Sequence, residues 1–508
     1  MGNKVARAAV IVLIMNLISR LLGFARDVVI AKEFGAGGAT DAFMVAYTIP
    51  YFLQSILGMA FVMVIVPILT KYALEGRTHE VWRASSIVLN WTLAILVLVT
   101  LLGMLVSGGL VGLMAPGFSQ ELTELARQLT FIMFPSIIFM GLGMLVTGIL
   151  NAHHVFGTPA FAPAAENIIL IAIIIIFGSR LGVHAMAVGT LLGFIFFLLI
   201  QIPSMRKLGF SYELSFDVGH PALKKTAASI IPIIFGVGVN QIYLALNRFF
   251  ASMVAVGSIT AIDFAYRLIN LPIGIFAAAV STVVFPTMSQ QAVSRDEVGL
   301  CDTLTRGLNM VALITIPSAV GLMVLNIPVV ELLFQRGAFD GRATAMTGTA
   351  LVYFSWGILG WGANMVLVRA YYAVNDIRTP VTTGIVSVIV NILLSYLFLS
   401  RLGHGGLALA NSLAVLTHCL LLFLFLSRRL PHLKFTSLAM PLFKVILASV
   451  FMGAAVYYVN QILTVPLFLE VLISVLTGVV VYILMALLLG IKEINQIKNL
   501  VPKRMQTP

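Results

Sequence analysis

ARAAVIVLIMNLISRLLGFARDVVIAKE, residues 6–33, decides how the rest of the chain is read. A helix rises about 1.5 Å per residue and the hydrocarbon core of a bilayer is about 30 Å thick, so a run of about 20 apolar residues crosses it. This run is long enough, yet within SRLLGFARD (19–27) it carries Arg20, Arg26 and Asp27. Charged side chains at mid-bilayer cost about 2.5–3.5 kcal/mol on insertion scales, so they face a wet cavity or one another. The run follows Lys4 and Arg7, offers no small-residue cleavage site and continues through Arg20, so a retained span is expected rather than a leader.

The whole chain follows the same pattern. Of 508 residues, 60% are hydrophobic and 10% charged, and the mean hydropathy is +1.06. Soluble chains carry roughly 25% charged residues. The composition therefore excludes a soluble enzyme, a disordered tail and a nucleic-acid module, and it implies an all-α polytopic membrane protein. Fourteen apolar runs fit a membrane span: 6–33, 41–75, 84–113, 121–152, 159–179, 182–205, 222–254, 258–292, 303–330, 344–373, 379–400, 405–428, 438–461 and 465–490. Lys and Arg number 31 against 19 Asp and Glu, a formal charge of +12. Nineteen of these basic residues fall outside the spans or at their ends on the side of the N-terminus, among them Lys71, Arg77, Arg206, Lys207, Arg428 and Lys434; five (Lys32, Arg180, Arg336, Arg342 and Arg401) fall on the other. Such an imbalance places both termini in the cytoplasm.

The chain also repeats itself. An offset of 219 lays Gly38 on Gly257, Ala46-Tyr47 on Ala265-Tyr266 and Pro67 on Pro286. Further on, an offset of 221 lays Thr158-Pro159 on Thr379-Pro380 and Gly182 on Gly403. Each copy holds six expected helices, so the two are parallel repeats, and transporters of that kind place their substrate path between the halves. The expected organisation is an N-lobe at 1–214, a C-lobe at 215–432 and a C-terminal helix pair at 433–508.

Enzyme chemistry finds no foothold. The absence of a Gly-Lys dipeptide removes a Walker A loop, and no HExxH or paired-Cys metal signature exists. Cys301 and Cys419 lie in or beside apolar segments, which offers no disulfide framework. His153-His154 and His184 read as loop or helix-end residues.

Charge inside the membrane remains. Arg20 stands about 21 Å into its span by helical rise, beyond snorkelling reach of the cytoplasm. It either pairs with Asp27 two turns away or faces a cavity. Asp263 and Arg267 are spaced i, i+4 with the acid first, which suits an intrahelical pair; the alternative points Arg267 into a central cavity. Arg248 and Arg369 read as snorkelling residues near helix ends. Asp41 suits a cap at the start of the second span. Glu166, the one acid of the fifth span, either carries a proton or cation or fills a hydrogen bond in a helix broken by Pro163. Pro50, Pro163, Pro272 and Gly274 are candidates for helix bending. Three arginines against few unpaired acids suit an anion, and guanidinium forks suit phosphate oxygens.

These residues resemble the MurJ/MviN family of lipid II flippases: SRLLGFARD at 19–27, EFGAGGATDAF at 33–43, FVMVIVPILTKY at 61–72, APGF at 115–118, NAHHVFGTPAFAP at 151–163, FPTMSQQA at 285–292 and FQRGAFD at 334–340. The resemblance implies the multidrug/oligosaccharidyl-lipid/polysaccharide exporter fold, two six-helix lobes in a V whose last two helices form a groove for a lipid tail. It implies that Arg20, Arg26, Asp41 and Arg267 bind substrate; Gln54, Glu166 and Asp263 are secondary candidates on the reading of the residues themselves. Gln54 stands where the family commonly has a basic residue, and Met59 where an acid is frequent.

The function so implied is movement of lipid II, the undecaprenyl-diphosphate-linked peptidoglycan precursor, to the outer leaflet of the bacterial cytoplasmic (inner) membrane, for cell-wall biogenesis and cell shape. No enzyme activity, metal or cofactor is expected; the membrane potential or a monovalent cation is the expected source of energy. Expected partners are the precursor, the bilayer and proteins of cell-wall synthesis or division, with no nucleic acid. Two alternatives stay open: a cation-coupled exporter of drugs or other polyprenyl-linked oligosaccharides on the same fold, and a nontransporting scaffold that binds the precursor.

Overall fold

The computed structural model describes the backbone of residues 2–491 and the side chains of these except 2–9, 49, 53–60, 62 and 230–243. All regular structure among the described residues is helical. The chain divides into two units, residues 1–260 with 336–340, and residues 261–335 with 341–508.

In the first unit run α1 (Gly2–Phe34), α2 (Gly38–Leu74), α3 (Thr78–Met114), α4 (Gln120–Met133), α5 (Ser136–Ala152), α6 (Gly157–Leu181), α7 (His184–Leu199), the short α8 (Ile202–Lys207) and α9 (Pro221–Ser252). Local chemistry sets the starts. Ser119 Oγ accepts from Leu122 N at 3.3 Å ahead of α4, and Pro221 opens α9 after His220, whose Nδ1 accepts from Ala222 N at 3.2 Å. α6 packs on α1 and α7, while α2 packs on α5, α4 and α9. Close approach needs glycine here: a Cβ at Gly103 would stand 2.1 Å from Phe134, and one at Gly148 2.5 Å from Ile65. The segment 336–340 docks on the end of α1, where Ala338 N donates to the Lys32 carbonyl at 2.8 Å.

α10 (Ser258–Pro272) leads into the second unit and is followed by α11 (Ala278–Val293), α12 (Glu297–Val324), α13 (Asn326–Phe334), α14 (Gly341–Ser355), α15 (Ile358–Ala373), α16 (Arg378–Arg429), α17 (Phe435–Ile462) and α18 (Leu467–Leu488). Between α10 and α11 lies one π-helical turn, Ile273–Ala277. It begins after Pro272 and contains Gly274, a pair expected to disturb the helix because proline removes a donor from the ladder. α17 and α18 pack on α12, where Tyr482 Oη donates to the Leu313 carbonyl at 2.7 Å.

The duplication is visible in the backbone of each unit taken alone. Positive φ falls at Gly76, His154 and Gly182 in the first (72°, 58° and 56°) and at Arg295, Asn375 and Gly403 in the second (57°, 59° and 55°), at the same offsets of 219 and 221. At Gly182 ψ is −141° and at Gly403 it is −134°, so α6 passes to α7 through the same turn that bends α16. This conformation is open to glycine and costs other residues of order 1–3 kcal/mol. Because a Cβ at Gly182 would meet nothing within 4 Å, Gly182→Ala isolates backbone strain from packing. Its unfolding midpoint in detergent is expected to drop by an amount matching about 1–3 kcal/mol; an unchanged midpoint would show that the turn is not required.

Side chains on the outside are those a bilayer accepts: Leu105, Ile175, Leu393 and Tyr396 are all exposed. Inside, hydroxyls bond their own helices, as in Thr130 to Ala126 O (2.7 Å), Thr190 to Met186 O (2.8 Å) and Thr315 to Val311 O (2.8 Å), which satisfies them without a partner helix. Among the described residues eight helices are long and apolar enough to cross a membrane, or ten when the bent pairs α4–α5 (42°) and α14–α15 (46°) are each one span. α16 counts once in that number although Gly403 breaks it, and α1, α2 and α9 include residues whose side chains lie outside the description.

Candidate functional site

The charged residues of the membrane helices fall into three groups. On α1, Arg20 is exposed and Arg26 half-buried. Arg26 donates from Nε and Nη2 to Asp27 Oδ1, both at 3.0 Å, and Asp27 is buried. Asp27 thus bonds its chain neighbour. Facing this segment, α6 presents Glu166 and Asn167, 5% and 7% exposed. Asn167 Nδ2 donates to the Pro163 carbonyl at 2.9 Å, so the side chain bonded inside the proline-containing turn is Asn167 rather than the expected Glu166.

The second group surrounds Asp41 in the first turn of α2. Its Oδ2 accepts from Gly257 N at 2.6 Å, and its Oδ1 accepts from Thr260 N at 2.8 Å and Thr260 Oγ1 at 2.6 Å. Asp41 therefore caps the start of α10; the cap position of its own helix is Gly37, with no side-chain bond. The negative carboxylate sits where the amides of a helix N-terminus point, the geometry that favours an anion. Arg248 lies within electrostatic reach of Asp41 and donates from Nη1 to the Ile259 carbonyl at 3.4 Å. At 8% exposure it does not snorkel, contrary to the sequence reading. The missed signal was a lone arginine in an apolar run: such a charge requires a partner, and Asp41 required one too.

On α10, Arg267 donates from Nε to Asp263 Oδ2 at 3.0 Å and lies 2.9 Å from it through Nη2. The i, i+4 pair forms as its order favours, and both side chains stay partly exposed. Arg369 on α15 likewise turns inward, with Nη1 3.1 Å from the Ser281 carbonyl and its guanidinium over the Phe285 ring. The side chains of Gln54 and Met59 lie outside the described residues. Among the described residues no cluster of three or more His, Cys, Asp or Glu side chains is arranged to hold a metal ion.

The structure thus pairs Arg26 with Asp27, joins Asp41 to the start of α10 beside Arg248, and pairs Asp263 with Arg267. In the second unit a cavity of about 170 Å³ opens between α12, α15, α16 and α17, with a lining of apolar residues such as Leu308, Ala363, Leu420 and Leu438.

The profile of a family described as lipid II flippase MurJ matches residues 30–478. The chain belongs to the MurJ family. A probable lipid II flippase MurJ of Vibrio cholerae is 34% identical over 439 residues, 83% of each chain. Lipid II flippase MurJ of Burkholderia cenocepacia is 34% identical over 435 residues, covering 83% of this chain and 84% of its own. A solved structure of lipid II flippase MurJ in an inward closed conformation superposes with a TM-score of 0.80 at 28% identity, over 94% of this chain and 98% of that one. An inward-facing multidrug resistance MATE transporter of the MOP superfamily reaches a TM-score of 0.68 at 16% identity over 84% of this chain, a likeness of fold alone. MurJ proteins are multi-pass membrane flippases rather than enzymes, and with this membership the all-helical polytopic class and the transporter reading both stand.

Proposed function

We propose that this chain flips lipid II from the cytoplasmic to the outer leaflet by alternating access, with the arginines of its membrane helices, Arg20, Arg26 and Arg267, serving the diphosphate headgroup. The observation that carries the reading is the pair of arginines on α1 of a MurJ-family chain, one of them half-buried beside a buried carboxylate in a membrane helix. Guanidinium is always charged and matches phosphate oxygens with two parallel donors. Asp263 and Asp27 hold Arg267 and Arg26 in place until a stronger anion arrives. In this reading the chain has fourteen spans with both termini cytoplasmic, lobes at 1–214 and 215–432, and a C-terminal pair at 433–508.

The headgroup and tail must part company. A polyprenyl chain gains about 0.8 kcal/mol for each CH₂-sized unit that stays out of water, whereas the charged head cannot cross hydrocarbon. The tail therefore stays in lipid along α17 and α18, and the apolar cavity beside α17 supports that path. No nucleotide is needed for direction. Carrying negative charge outward across an inside-negative membrane is favourable by about 2.3 kcal/mol per charge per 100 mV.

Purified protein in vesicles provides the test. Labelled lipid II is expected to change leaflets only when the protein is present, and faster when an inside-negative potential is imposed. Equal rates in protein-free vesicles would end the proposal. Movement of a cationic drug but not of lipid II would favour an exporter, and binding without movement a scaffold.

A further inference from the structure

We propose that the loop between α8 and α9, residues 208–220, is an anchor in the membrane interface: its tip lays Tyr212, Leu214 and Phe216 against the boundary between lipid headgroups and acyl chains, and basic residues at its two feet meet anionic headgroups. The inference goes beyond the transport reading and shares with it only the cytoplasmic placement of this side. Along the loop, apolar side chains point outward in alternation. Tyr212, Leu214, Phe216 and Val218 are exposed, Leu214 at 74%, whereas Glu213 and Ser215 are half-buried. In water such a row of large apolar groups would stand unsheltered.

α3 sets the depth. Its exposed apolar surface begins at Leu93 and continues through Ile95, Leu98 and Leu105 to Leu113. Twenty positions separate Leu93 from Leu113, which is about 30 Å of helix and the thickness of a hydrocarbon core. Before Leu93 the surface changes: residues 84–88 and Asn90 are buried, and Arg77, Glu80 and Arg83 carry charge beyond them. The loop lies on that band. Phe210 stands edge-on to Trp82 at 5.6 Å and Phe216 edge-on to Trp91 at 5.8 Å, so the chain climbs α3 between these residues. It then descends to Arg83, 3.8 Å from Asp217, and to Glu80, 3.4 Å from His220. Its tip is bonded at Asn90, three residues or about 4.5 Å short of the hydrocarbon edge.

Irregular backbone comes so near hydrocarbon only where protein meets its polar groups. Asn90, 3% exposed, does this at the tip. Its Nδ2 donates to the Glu213 carbonyl at 3.2 Å and the Ser215 carbonyl at 2.9 Å, and its Oδ1 accepts from Tyr212 Oη at 2.7 Å. Glu213 N donates to Ser86 Oγ at 3.1 Å. Tyrosine and tryptophan, apolar rings with one polar edge, are the side chains that settle at a membrane boundary. At the feet, Arg206 and Lys207 end α8 and Lys224 and Lys225 stand near the start of α9, all four exposed. They complement the negative potential of an anionic leaflet, and together with the depth of the apolar tip they favour a lipid surface over a protein as the partner.

Nitroxide labels on the full-length protein, in vesicles of phosphatidylcholine mixed with phosphatidylglycerol, test the anchor. Labelled wild type, whose Cys301 is buried and Cys419 partly so, gives the background. At Leu214→Cys and Phe216→Cys the label is expected to collide more often with oxygen than with a water-soluble nickel chelate, the mark of an acyl environment; at Lys207→Cys the order is expected to reverse. Asn90→Ala should release the tip and reverse the order at residue 214 as well. In phosphatidylcholine alone the tip labels are expected to shift toward the nickel chelate. Water contact at both 214 and 216 would overturn the proposal and leave this face to a protein. An unchanged label in Asn90→Ala would overturn the part given to Asn90, and equal depth in the two lipid mixtures the part given to the four basic residues. Should Asn90→Ala fail to fold, the labels at 214 and 216 still decide. None of these readings requires flipping, so loss of the anchor and loss of the transport reading are told apart.

Discussion

Replacing Arg20 or Arg26 by Glu is expected to reduce lipid II translocation in vesicles by at least about a hundredfold. A hydrogen bond to a charged group contributes about 1.5–3 kcal/mol. Reversal also sets a carboxylate against phosphate, and like charges about 4 Å apart at a surface-like dielectric repel by about 4 kcal/mol. Their sum exceeds the roughly 2.8 kcal/mol that a hundredfold loss requires. The two positions separate charge from folding. Arg20 is exposed, so Arg20→Glu should leave the unfolding midpoint near that of the wild type. Arg26→Glu sets a second carboxylate beside the buried Asp27 and strips Asp27 of its partner, so it should lower stability as well. Arg20→Lys keeps the charge without the planar fork and is expected to fall between. Retained translocation by both reversal variants would remove the headgroup assignment; unchanged growth with altered drug tolerance would favour an exporter. A scaffold should tolerate both.

The second large effect is on folding. Asp41→Ala removes a carboxylate that is 2% exposed and accepts from two backbone amides and one hydroxyl. Each buried donor left without an acceptor costs about 1–3 kcal/mol, and Asp41 serves three of them. A loss of several kcal/mol is expected, read as a lower unfolding midpoint in detergent and as lost protection of the Gly257 and Thr260 amides in hydrogen exchange. Asp41→Asn should cost less, since its carbonyl still accepts. The double variant Asp41→Ala with Arg248→Met should be less destabilised than the two single changes added together, by about 0.5–3 kcal/mol of coupling. Strict additivity would mean that Arg248 is not compensated by Asp41. Were the carboxylate to act on cargo alone, Asp41→Ala would unfold with the wild type and still fail to flip lipid II.

Much of the fold was legible because a bilayer imposes a simple rule. Every backbone donor in hydrocarbon must be met within its own segment, so an apolar run of sufficient length is a helix whatever its neighbours do. The i, i+4 order of Asp263 and Arg267 was legible for a similar reason: both partners sit on one helix, and helical geometry fixes their distance. Repeats were legible as well, since Gly182 and Gly403 each occupy a conformation that other residues resist.

Partners distant in the chain were not legible. Asp41 finds donors 216 and 219 residues away, and no period in the sequence announces them. Arg248 reads as a helix-end residue until the segment 257–260 is laid over it.

The sequence by itself determined that this chain is a bundle of membrane helices, duplicated, with arginines placed where hydrocarbon would refuse them. Hydropathy and charge are sums over neighbouring residues and need no fold to be evaluated. Only the tertiary structure decided which carboxylate answers which arginine, because a buried charge is stabilised by whatever lies within a few ångströms, and packing rather than chain order sets that distance.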